Sequence, residues 1–201
     1  PYTTAMMADD TIGLMDALGI EKTRVVGISM GGTISQQLAL RYPRKVQSMV
    51  LISTWARFDK YAVMVYENLK KLRRVADPGD FMELLQLWIF ATDYVEVNLD
   101  SLKEGQETAR NNTDPQPEQG FDGQLDACIH HDTVDQLHTI QQPAFIVVGV
   151  ADIFTPPAFS ELLHEKIPGS EIWRISGTGH ACHWENLKDF NRRTTDFLLN
   201  N

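Results

Sequence analysis

The stretch Arg24-Val25-Val26-Gly27-Ile28-Ser29-Met30-Gly31-Gly32 decides how the rest of the chain is read. Residues 24–28 form a short apolar run, the pattern of a strand buried on both faces. Residues 30–41 read as a helix that Pro43 stops. A serine with glycine two positions to either side, a strand before it and a helix after it, has the form of a nucleophile elbow. The spacing has a physical reason. A tight strand-to-helix turn holds the serine in an unusual backbone conformation, and side chains at Gly27 and Gly31 are expected to clash with the neighbouring backbone. The helix that starts there turns its free N–H groups toward the hydroxyl, which favours negative charge developing near Ser29.

Outward from this turn, strands and helices alternate. Residues 3–19 read as an amphipathic helix, with Met6, Met7, Ile12, Met15 and Leu18 on its apolar face. Asp9, Asp10 and Asp16 take the other face, and Gly19 stands where a C-terminal cap belongs. Residues 46–52, 144–150 and 171–175 read as three further strands. Residues 161–166 read as a helix ending at Pro168-Gly169, and residues 187–199 as a closing helix. From Trp55 to about Leu137 there are only helical patterns, broken at Asp77-Pro78-Gly79 and across residues 112–117. The expected architecture is an α/β fold with a mostly parallel sheet and helices on both faces. Residues 1–54 and 138–201 form its core, and residues 55–137 a helical lid.

At 201 residues, 43% of them hydrophobic and 22% charged, the chain has the size and apolar content of one globular domain. A formal net charge of -9 repels phosphate backbones and excludes nucleic acid as the expected partner. The apolar runs fall short of a membrane span, so no membrane partner is expected either. Cys128 and Cys182 are too few for a disulfide scaffold, and they fit a reducing, cytoplasmic setting. The one basic run, Lys70-Lys71-Leu72-Arg73-Arg74, reads as a solvated helix face in so acidic a chain.

A serine hydroxyl becomes nucleophilic when a base takes its proton, and that base needs a partner to fix its tautomer. His180 is the expected base: it sits in Gly177-Thr178-Gly179-His180, a glycine-rich turn after the fourth strand. His183 is its rival. Asp152, just past the third strand, is the expected acid, with Asp59 after the second strand as runner-up. Ser29, Asp152 and His180 all follow C-terminal strand ends, where open parallel sheets place their sites. Their order of serine, acid and histidine is that of an elbow-type site. Met30 N–H is the expected oxyanion donor. Trp88 and other large residues of the middle segment either line an apolar pocket or form that segment's own core, and Phe154 is expected to bind substrate with Trp88. His180, Cys182 and His183 fit no recognised metal-ligand spacing, so no metal is expected. Cys182 reads as a packed thiol.

With these motifs the chain resembles the α/β-hydrolase family over its whole length. Gly27-Ile28-Ser29-Met30-Gly31-Gly32, Asp152-Ile153-Phe154-Thr155-Pro156-Pro157 and Gly179-His180-Ala181-Cys182-His183-Trp184-Glu185 look most like its 3-oxoadipate enol-lactonase-like branch. The resemblance implies cleavage of a small-molecule ester or lactone through an acyl-enzyme at Ser29, with no cofactor. Ser29 disfavours the branches that use an aspartate nucleophile. Carbon–carbon hydrolases of ring-cleavage products share the same three residues and remain an alternative, as does a weakly active or non-catalytic scaffold. Family members carry several strands and an early donor loop before the nucleophile. Here 28 residues precede Ser29, they read as one helix ahead of strand 24–28, and no histidine occurs before His130. The sheet is therefore expected to be truncated on its N-terminal side and the second oxyanion donor to lack a counterpart. Strand 24–28 is then expected to present an unpaired edge, and the chain to form a homo-oligomer or to associate with a missing N-terminal segment.

Overall fold

The computed structural model describes residues 2–201. The chain runs α1 (Thr4–Ala17), β1 (Thr23–Ile28), α2 (Met30–Arg41), β2 (Val46–Ile52), α3 (Lys60–Val75), α4 (Pro78–Ile89), α5 (Thr92–Arg110), α6 (Glu118–Ile129), β3 (Ala144–Gly149), α7 (Pro157–Lys166), β4 (Glu171–Ile175), α8 (Cys182–Glu185) and α9 (Leu187–Asn200). The four strands form one sheet in the order β1-β2-β3-β4, and every neighbouring pair is parallel.

Alternation along the strands sorts the core into two layers. On one face Met49, Leu51, Ala144 and Ile146 meet Ala39 of α2 and Leu163 of α7. On the other, Val50, Ile52, Phe145 and Val147 meet Phe190 and Phe197 of α9. β2 and β3 are buried throughout or nearly so, as their apolar runs require.

β1 departs from the expectation of burial on both faces. Val26 and Ile28 are 50% and 38% exposed. They pair in register with Val50 and Ile52 and so share the α9 face, but α9 packs over the later strands and does not reach them. Only the Val25 face of β1 is covered, by α1 and α2.

α1 also differs from its sequence reading. Its buried stripe is Thr4, Ala8, Ile12 and Met15, while Met6 and Leu18 lie exposed. Residues at i, i+4 and i+8 face α2, and hydropathy alone overvalues the methionine beside that line. Thr3 caps the helix by accepting the Met6 N–H, and Gly19 ends it in the left-handed region at φ 69°.

Between β2 and β3 the chain leaves the sheet as four helices, α3 to α6. Asp77 caps α4 with Pro78 in its first turn, so the Asp-Pro-Gly break starts a helix. A further break falls at Phe90–Ala91, between α4 and α5, where the sequence carries no glycine or proline. An antiparallel bridge between Arg57 and Asp132 ties the neck of this excursion, and their side chains pair at 3.3 Å. Among the described residues no helix is long and apolar enough to cross a membrane.

Candidate active site

Ser29 stands between β1 and α2 at φ 53° and ψ -119°, a conformation that L side chains rarely adopt. Three hydrogen bonds hold it there. Its N–H donates to the Ile52 carbonyl at 2.9 Å, and its carbonyl accepts from Thr54 Oγ1 at 2.7 Å and from the Gly32 N–H at 2.9 Å. A Cβ on Gly27 would overlap the Gly31 carbonyl and the Ser35 hydroxyl, as the elbow geometry demands. Gly31 does not obey that expectation: a Cβ there meets nothing within 4 Å. The second crowded glycine is Gly32, pressed against the Thr54 side chain. The close approach lies one residue further on because α2 turns that face toward the loop after β2.

Asp152 follows β3 and is fully enclosed, with none of its side chain exposed. Its Oδ1 accepts the Phe154 and Thr155 N–H groups at 2.9 and 2.8 Å. Its Oδ2 meets His180 Nδ1 at 3.0 Å and accepts the Thr155 hydroxyl at 2.8 Å. The acid and histidine loops are stitched by backbone bonds from Val150 to Ile175 and from Ala151 to Thr178. Gly149 permits this approach, since a Cβ there would overlap the carbonyls of Thr178 and Gly179. Two residues proposed as rivals are placed elsewhere. Asp59 caps α3 by accepting the Ala62 N–H at 2.8 Å. His183 lies on α8 with its ring edge-on to Phe190 at 5.9 Å, turned toward α9.

The structure thus brings Asp152 and His180 into contact after β3 and β4 and sets Ser29 at the end of β1, with β2 between them. The Ser29 hydroxyl makes no direct hydrogen bond to His180 among the described residues. Met30 N–H, at the start of α2, has no acceptor among them either. Trp88 and Phe154 do gather beside the histidine. Phe154 stands edge-on to His180 at 5.1 Å, and Trp88 edge-on to Phe154 at 6.0 Å.

Tyr66 of α3 was not singled out by its sequence position. It stacks on Phe154 at 5.3 Å and packs with Phe58 and Trp55. Burial pushes its phenol well above the usual range, and the Ser29 side chain pulls the other way. Its helical spacing with Ala62 and Leu69 gave the only signal, and that signal reads as packing. Glu185 is a second such residue. Its carboxylate accepts the Gly179 N–H at 2.9 Å and the Ala91 N–H at 3.3 Å, so it ties the histidine loop to the α4–α5 junction. Burial raises its pKa, and those two N–H groups oppose the shift. The thiols take no such part: burial pushes Cys182 up to about 11 and Cys128 up to about 12.

A family model described as the alpha/beta hydrolase fold matches residues 1–187. Among curated relatives, the "Putative carbamate hydrolase RutD" of Caulobacter sp. (strain K31) is 27% identical over 198 residues, covering 98% of this chain and 73% of the relative. The enol-lactonase from Burkholderia xenovorans is 25% identical with a TM-score of 0.87, covering 99% of this chain and 74% of that one. A meta-cleavage product hydrolase from Pseudomonas fluorescens is 26% identical with a TM-score of 0.80, covering 98% and 72% of the two chains.

Proposed function

Because this chain belongs to the α/β-hydrolase family, we propose that it is a serine hydrolase cleaving a carboxylic ester or lactone through an acyl-enzyme on Ser29. The observation that carries this reading is the enclosed Asp152–His180 pair, at 3.0 Å, together with a serine held at positive φ at the head of α2. His180 takes the Ser29 proton on Nε2 as the hydroxyl attacks the carbonyl carbon, and later gives it to the leaving oxygen. Asp152 holds Nδ1–H and so leaves Nε2 free to accept. Met30 N–H, without an acceptor among the described residues, donates to the developing oxyanion. Residues 55–137 form the lid, and Trp88 and Phe154 give the pocket its apolar wall. No step calls for a cofactor.

The relatives widen the substrates worth testing without changing the chemistry. A carbamate and an enol-lactone both present a carbonyl carbon to the same nucleophile, as does the ketone of a ring-cleavage product. The test is labelling by a fluorophosphonate probe, followed by turnover of a short-chain p-nitrophenyl ester, a lactone and a carbamate. Labelling at Ser29, abolished in Ser29→Ala, is expected, with the ester or lactone turned over fastest. Equal labelling of both chains overturns the nucleophile, and labelling without turnover of any carbonyl substrate favours a scaffold.

A further inference from the structure

Thr155 carries a hydroxyl with one proton and three polar neighbours. Its Oγ1 lies 2.8 Å from Asp152 Oδ2, 2.9 Å from His180 Nδ1 and 3.0 Å from the Ser53 carbonyl oxygen. The residue is fully buried, so no solvent competes for these positions. A carboxylate and a carbonyl can only accept, so the hydroxyl proton goes to one or the other at any moment. Both arrangements leave a hydroxyl lone pair for the Nδ1–H of His180, which therefore faces two acceptors, Thr155 Oγ1 at 2.9 Å and Asp152 Oδ2 at 3.0 Å.

The Ser53 carbonyl is aimed here by an unusual backbone. Ser53 follows β2 at φ 46°, one of only two non-glycine residues at positive φ among the described residues; Ser29 is the other. Its own groups lock that conformation: the N–H donates to the Val147 carbonyl at 2.9 Å, and Oγ donates to the His180 carbonyl at 2.9 Å. A strained residue fixed on both sides presents an acceptor to Thr155 and, among the described residues, to no other side-chain donor.

We propose that Thr155 is a positioning residue whose hydroxyl turns between Asp152 and Ser53 as His180 charges and discharges. With His180 neutral, the hydroxyl donates to Asp152 Oδ2 and offsets part of the enclosed carboxylate's charge. When His180 takes the Ser29 proton on Nε2, the imidazolium makes a stronger demand on both acceptors of its Nδ1–H. The hydroxyl proton then swings to the Ser53 carbonyl, which frees Oδ2 for the imidazolium and keeps the Oγ1 lone pair on Nδ1–H. No proton leaves Thr155 and none leaves Nδ1; the only proton transferred runs from Ser29 Oγ to His180 Nε2. The inference rests on the serine-nucleophile reading above.

Thr155→Val keeps the shape and removes the rotor, and Thr155→Ser keeps the rotor and removes the methyl group. The expected result is an about tenfold slower fluorophosphonate labelling of Thr155→Val, the scale of one hydrogen bond to a charged group. Thr155→Ser should restore the parent rate. The low-field proton resonance of His180 Nδ1–H should move in Thr155→Val and return in Thr155→Ser, a readout that a packing role would leave in place. Thr155→Ala carries the same test if the valine chain does not fold. A parent that labels at Ser29 while Thr155→Val labels equally fast, with an unmoved resonance, overturns the rotor alone. A serine variant as slow as the valine variant assigns the effect to the methyl group and also overturns it. A parent that is not labelled removes the nucleophile and the rotor together.

Discussion

The proposed acid–base corner and the proposed nucleophile corner of the candidate site are built in opposite ways. Around Asp152 four donors converge on two oxygens inside a fully enclosed pocket, and every one comes from a residue already fixed in the fold. Around Ser29 the backbone is locked, but the Met30 N–H has no acceptor among the described residues, and the serine itself is half-buried. The difference follows from when charge arises. Asp152 is enclosed in the folded protein, so its oxygens must find donors as the chain folds, since a buried carboxyl group without partners is costly. In the proposed reaction the oxyanion exists only transiently, so its donor, Met30 N–H, is held in place and left free.

The largest test breaks the compensated corner. Asp152→Asn removes the charge and turns an amide toward donors that need an acceptor. Ester turnover should fall by about 10⁴, the effect of losing the acid that holds the histidine tautomer. A loss of tenfold or less, measured as kcat/KM on folded protein, would show that this corner is structural.

The nucleophile corner has its own buried support, and acid should weaken it. Gln36 of α2 donates to the Trp55 carbonyl at 2.8 Å and accepts from Thr133 Oγ1 at 2.6 Å, while His131 Nδ1 meets Thr4 Oγ1 at 2.8 Å in the same cluster. Burial lowers the His131 pKa from 6.5 to about 4. The folded chain therefore refuses a proton that the unfolded chain accepts. The stability this provides is whole above pH 6.5 and is lost as pH falls from 6.5 toward 4, by about 3 kcal/mol. Urea denaturation across that range should show the loss, and His131→Gln should flatten it.

A smaller effect separates the two glycines of the elbow. Gly27→Ala forces a methyl group onto the Gly31 carbonyl and should cost roughly 1–3 kcal/mol. Gly31→Ala enters open space on a helix and should be neutral or stabilising by up to ~1 kcal/mol. Thermal unfolding of both variants ranks them, and equal costs would return the strain to the symmetric motif. Smallest of all, Tyr66→Phe keeps the stacking on Phe154 and removes the hydroxyl beside Ser29. Labelling should change about threefold, in keeping with one neutral hydrogen bond, and no change would leave Tyr66 as lid packing.

What was legible in the sequence was what is encoded locally. β2, β4 and α2 stand where their apolar runs and the Pro43 stop put them, and the turn at Ser29 is written in its own glycines. Asp152 and His180 were legible as strand-end residues, and the fold brings them into contact. The faces of α1 and β1 were not legible, because which side of an element is buried depends on how far α2 and α9 extend over it. The remaining parts of the site are assembled across long stretches of chain. Thr155 stands inside the quoted Asp152 motif, but its partner Ser53 is 102 residues away. Glu185 reaches Ala91 over 94 residues. A lone threonine or glutamate carries no mark of such a partner.

The helical excursion between β2 and β3 also has a kinetic consequence. β1-α2-β2 and β3-α7-β4 are compact units that each close over a short connection, so their strands can pair early. Joining them means closing a loop of roughly 90 residues between Ile52 and Ala144, with little reward until β2 meets β3. Ser29 belongs to the first unit, Asp152 and His180 to the second. The seam that is slowest to close therefore separates the unit that carries Ser29 from the unit that carries the Asp152–His180 pair. In a refolding experiment, helical and strand signals should recover before any capacity to react with the probe.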